Sequence, residues 1–199
     1  MVDAARSADG TQPLGAPTRV RVPPLLLGTF LFLASELVFF IALFGSYFTL
    51  RSETRIWPPR GVELEPVVAG IATTLLVISS FTYVAAARRA RAHDRRGLRS
   101  WVALTFVLGA AFLVLQLVDY ARLSFSVSSH AYGTMFFAMT GFHAAHVVAG
   151  LILMLVVLGR STQGAYDAGE PLGVEAVGYY WHFVDVVWIV LYATLYLLR

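Results

Sequence analysis

Five stretches of mostly apolar residues, each roughly twenty or more long and separated by short polar segments, constrain this chain more than any other feature. A bilayer core about 30 Å thick is crossed by roughly 20 helical residues. Hydrocarbon offers no water to exposed backbone groups, so a spanning segment must close its own hydrogen bonds, as a helix does. The composition agrees. Hydrophobic residues make up 58% and charged residues 14%, against about 45–50% and about 25% in a soluble domain. That excess excludes a disordered chain and argues against a water-soluble domain. The reading is an all-α integral membrane bundle of five transmembrane helices.

The helices are expected over residues 24–50, 66–87, 98–120, 130–158 and 174–198. Pro24 and Pro66 suit first helical turns, where the missing N–H costs nothing. Residues 1–23 are rich in Ala, Gly, Pro and charge. With no apolar run they do not read as a signal peptide, and the expectation is a disordered cytoplasmic arm ahead of a domain at 24–199. Trp57-Pro58-Pro59-Arg60-Gly61 reads as a rigid turn with an interfacial aromatic. All fifteen basic residues are arginine. Five crossings place ten of them in the N-terminal arm and the 2–3 and 4–5 loops, and five on the other side. The positive-inside rule then puts the N-terminus in the cytoplasm. Membrane topology explains these arginines better than nucleic acid does.

Cysteine is absent, which excludes disulfides, thiol catalysis and thiolate metal sites. No phosphate-binding glycine loop or nucleophile elbow is present. What remains is a small set of polar groups at bilayer depth, where ionisable side chains are expensive and point to function by default. Glu36 lies mid-helix in SELVFF, His143 and His146 in GFHAAH, and His182 and Asp185 in YWHFVDVVW. The last two pairs are spaced i,i+3, so each shares a helix face. These groups either line a buried polar cleft or join packed helices by hydrogen bonds. For Glu36 the functional reading is favoured, because a lone carboxyl is a costly way to hold helices together. Asp119, Tyr120, Arg122 and Glu175 sit near helix ends, and the charged ones read mostly as solvated. The histidines and Asp185 have the donor types for zinc, iron or haem. Histidines three apart lie too close to sandwich one haem, so no metal site is expected.

Three of these segments together resemble one family. SELVFF followed by WPPRG, then LQLVDY with YGTMFFAMTGFHAAHVVAG, then GVEAVGYYWHFVDVVW, are similar in order and spacing to subunit III of haem–copper terminal oxidases. The resemblance runs from about Leu31 to the C-terminus. Five helices match the short form of a subunit that has seven in its long form. Asp119 stands where that family often has Glu, and Ala144 where Gly is common.

The resemblance implies a subunit without its own redox centre, with haems and copper in subunits I and II. It implies packing on subunit I as the main contact, assembly with subunits II and IV, bound phospholipid, and support of proton uptake and turnover stability in a bacterial cytoplasmic membrane. Glu36 matches the family's carbodiimide-reactive glutamate, and that reaction needs a protonated carboxyl in an apolar site. A respiratory supercomplex, and cytochrome c or quinol as donor, stay open. The alternatives are a subunit of a quinol oxidase or nitric oxide reductase, and an independent proton channel or transporter. The topology has a direct consequence. The loop at 88–99 is expected to resist protease added outside intact cells, and external cleavage there would invert the orientation.

Overall fold

A computed structural model describes residues 23–166 and 171–198. The expected arm therefore lies outside the described residues, apart from Pro23. Five helices follow in order: α1 Pro24–Glu53, α2 Pro66–Arg91, α3 Arg95–Arg122, α4 Ala131–Thr162 and α5 Leu172–Tyr192. A π-helical turn, Ala193–Leu197, continues α5. All five are long and apolar enough to cross a membrane. The helices expected from sequence are all present, and most extend further at their ends. At 30 and 32 residues, α1 and α4 are about 45 Å or more long, beyond the hydrocarbon thickness.

Local chemistry sets several ends. Pro24 and Pro66 open α1 and α2. Asp94 caps α3 by accepting from the Gly97 N–H at 2.9 Å. His130 caps α4 in the same way, its Nδ1 accepting from the Gly133 N–H at 2.8 Å. His93 turns the chain between α2 and α3 with φ of 54°.

The helices α2, α3, α4 and α5 form a closed ring in which each packs on the next, and α2 and α3 form the most extensive pair. The first helix, α1, lies outside that ring against α4 and α5. Only 6% of its apolar window is buried, against 56% for α5. Trp57, from the α1–α2 loop, packs edge-on to Tyr47 and Tyr132 at 5.3 and 5.2 Å. Arg51 adds a tie by donating to the Leu198 carbonyl.

Trp181 of α5 occupies the centre of the ring and is fully buried. Its indole lies between Gly109 of α3 and Gly150 of α4. A Cβ at either glycine would stand 2.7 Å from a Trp181 ring atom. The indole N–H donates to Ser79 Oγ of α2 at 2.9 Å. One side chain thus fixes α5 against three helices. Two turns further along, Trp188 N–H donates to Thr73 Oγ1 at 2.9 Å, and its ring meets Phe112 at 4.7 Å. Close helix approach through glycine, with hydroxyls as acceptors, is how packing proceeds where lipid supplies no hydrophobic drive.

Overpacking a closed core costs roughly 1–3 kcal/mol. Gly109→Ala and Gly150→Ala should each lower the melting temperature of the detergent-solubilised bundle. Gly141→Ala, which meets nothing within 4 Å, should not. Equal behaviour of the three variants would contradict the Trp181 notch.

Candidate functional site

The polar groups at bilayer depth do not share one cleft. The structure sorts them into two bonded sites and one isolated ring. The first site joins α1 to α4. His146 Nε2 stands 2.9 Å from Glu36 Oε2, while His146 Nδ1 bonds to the Phe142 carbonyl at 2.7 Å. A carbonyl can only accept, so Nδ1 carries a proton. Two states then satisfy the short contact. Either a protonated carboxyl donates to Nε2, or an imidazolium donates to a carboxylate. Both hold one proton between the two groups, and both are neutral overall. Phe39, Phe40 and Phe142 surround the pair. Its side chains keep only 16% and 21% of their surface exposed. A neutral pair avoids the large penalty of a lone charge in apolar surroundings. Tyr180 of α5 ties in here by donating to the His146 carbonyl at 2.9 Å.

The second site joins α5 to α2 through a serine. Ser80 Oγ donates to Asp185 Oδ2 at 2.7 Å. Its only proton is thereby committed, so it accepts from His182 Nδ1 at 3.1 Å. His182 and Asp185, a turn apart on α5, meet at one hydroxyl of the neighbouring helix. Asp185 Oδ1 is buried with no hydrogen-bond partner.

His143 stands alone. It is fully buried, and neither ring nitrogen has a hydrogen-bond partner. Its ring packs at 4.9 Å from Trp188 and edge-on to Phe112 at 5.8 Å. A three-residue step turns a helix by 300°, leaving adjacent directions about 60° apart. That angle is enough to aim His143 into the ring while His146 faces α1. Among the described residues no cluster of three His, Cys, Asp or Glu could hold a metal ion.

The helix-end groups divide by end. Asp119, expected to be solvated, is instead buried at 5% exposure. The π-helical turn brings Tyr196 over it, and the phenol donates to Asp119 Oδ2 at 2.8 Å. Tyr120 meets Thr140 Oγ1 at 2.6 Å, and Thr140 donates onward to the Phe136 carbonyl. Arg122 makes an exposed ion pair with Glu65 at 3.3 Å. At the opposite end Glu175 receives both Nε and a terminal nitrogen of Arg91 at 2.8 Å. The sequence reading missed the hydroxyls: Thr73, Ser79, Ser80, Thr82 and Thr105. The signal available was their recurrence within apolar helices, where a lone hydroxyl needs an interhelical or backbone acceptor.

A family model for cytochrome c oxidase subunit III matches residues 8–199. The chain belongs to that family. Among its relatives, the cytochrome c oxidase subunit 3 of Synechocystis is 41% identical over 175 residues, covering 87% of this chain and 75% of the relative. That of Corynebacterium diphtheriae is 39% identical over 203 residues, covering 97% and 99%. A relative from Thermostichus vulcanus is 40% identical, with 87% of each chain covered. Subunit III is a multi-pass component of a respiratory oxidoreductase complex, and the five-helix architecture is that of a membrane protein.

Within this subunit, Ser80 is the sole hydrogen-bond link between Asp185, His182 and α2 among the described residues. Leaving buried polar groups without their partner costs about 1–3 kcal/mol. Ser80→Ala should therefore reduce the thermal stability of the bundle by that amount, and Ser80→Thr should recover most of it. Wild-type stability in Ser80→Ala would remove the link.

Proposed function

We propose that this chain is the non-catalytic subunit III of a bacterial haem–copper terminal oxidase that pumps protons while reducing oxygen to water. It resides in the cytoplasmic membrane with its N-terminus inside. Subunits I and II hold the haems and copper, and this chain packs chiefly on subunit I. Family membership supports that assignment, and the relatives, themselves cytochrome c oxidase subunits 3, favour cytochrome c as donor over quinol. The observation carrying the functional reading is the Glu36–His146 pair. It holds one exchangeable proton among aromatic rings, next to a helix whose surface is mostly unburied within this chain.

Such a pair suits a supporting role. Moving the proton across the 2.9 Å contact leaves the net charge at zero. The pair can therefore pass a proton between its own two members, and it keeps α1 in place. In the proposed role it maintains the lipid-lined flank of the subunit, and through it proton uptake and the working lifetime of subunit I.

Glu36→Gln keeps the hydrogen bond to His146 but cannot release a proton. In the assembled oxidase this variant should retain initial oxygen-reduction rate and assembly, and lose activity faster during continuous turnover. His146→Gln should behave alike. Wild-type lifetimes in both variants would overturn the proposed role.

A further inference from the structure

Away from the Glu36–His146 pair, a recess of about 250 Å³ opens between α2 and α5 at the arginine-rich end of the bundle. Arg88 and Arg91 form its rim. Val84, Ala87 and Gly178 form its wall, and His182 its base. Glycine at 178 lets α5 approach Tyr83, since a Cβ there would stand 3.0 Å from that ring. From Glu175 to His182 the recess extends seven residues along α5, or roughly 10 Å into the bundle.

The charges are unequal. Arg91 is taken up by Glu175 at 2.8 Å. Arg88 has no acidic partner among the described residues, so the rim carries one uncompensated positive charge. Below the rim the small residues Val84, Ala87 and Gly178 stand beside the rings of Tyr83 and Tyr179 and leave a mostly apolar wall. A cationic rim above an apolar wall, at the end of two membrane-spanning helices, matches a molecule with one anionic group on a hydrocarbon body. Basic pockets between transmembrane helices are general sites for anionic headgroups.

We infer that this recess seats the phosphodiester of an anionic phospholipid, with Arg88 as its main ligand and Arg91 as a second, shared with Glu175. A phosphodiester with a neutral headgroup balances the rim charge. A zwitterionic lipid brings its own cation and gains less. Free phosphate would use the rim but gain nothing from the wall. The inference needs only that the helices span a membrane, and it stands apart from the role proposed for Glu36.

The test uses the full chain in its purified native assembly, exchanged into detergent with photoactivatable phosphatidylglycerol or phosphatidylcholine. Crosslinks are mapped to peptides covering 84–91 and 175–182. Phosphatidylglycerol should label these peptides in preference to phosphatidylcholine. Arg88→Gln should reduce that labelling about fivefold, the worth of one basic side chain at an anionic surface. Glu175→Gln frees Arg91 and should increase labelling, whereas a purely structural role for Glu175 would decrease it. Equal labelling by both lipids, or unchanged labelling in Arg88→Gln, would overturn the site. Displacement by millimolar inorganic phosphate would reassign it to a soluble anion and overturn the lipid.

Discussion

The bundle depends on one indole. Trp181 fills the space that Gly109 and Gly150 leave open on two helices, and its N–H reaches a third. In water, such a side chain would be driven inward by its own apolar area. In a bilayer that drive is absent, because lipid tails are as apolar as the ring. What remains is close contact and a satisfied N–H. Both are specific: the contact needs glycine on two helices, and the hydrogen bond needs a hydroxyl on α2. Trp188 repeats the arrangement with Thr73 and Phe112. The ring of four helices is therefore set by two tryptophans of α5.

The same constraint shapes the ionisable groups. Each carboxyl inside the bundle ends on a polar partner from another helix: Glu36 on His146, Asp185 on Ser80, and Asp119 on Tyr196. Glu36 and His146 can share one proton with no net charge, whereas Asp185 and Asp119 each accept a hydrogen bond from a hydroxyl. Among the described residues, ion pairs with arginine stand at the helix ends, as in Arg91–Glu175 and Arg122–Glu65. Polar chemistry thus helps to order the bundle by tying neighbouring helices together.

Much of this was legible in the sequence. Five apolar runs gave five helices, because hydropathy and length alone decide what can span a bilayer. The prolines marked the starts of α1 and α2. Glu36 stood out as an ionisable residue in an apolar segment, and the structure supplies the histidine it faces. Other features were not legible. The separation of His143 from His146 depends on which helices lie on either side of α4, and periodicity does not report that. The burial of Asp119 depends on a π-helical turn that swings Tyr196 inward. Ser80 looked like one of several small polar residues, and its role appears only once α2 meets α5.

The placement of α1 has a consequence for how the molecule is made. This helix precedes the other four in the chain, yet it packs on α4 and α5, the two furthest from it in sequence. Its carboxyl meets a histidine 110 residues further along the chain. The α2–α3 hairpin, by contrast, can close as soon as its three-residue turn is made. During synthesis α1 therefore waits in the bilayer with Glu36 unpartnered, and its docking is a late event that completes the fold. A nascent chain stopped before α4 would hold a paired hairpin and a loose first helix, the form in which a membrane quality-control protease would find it most open.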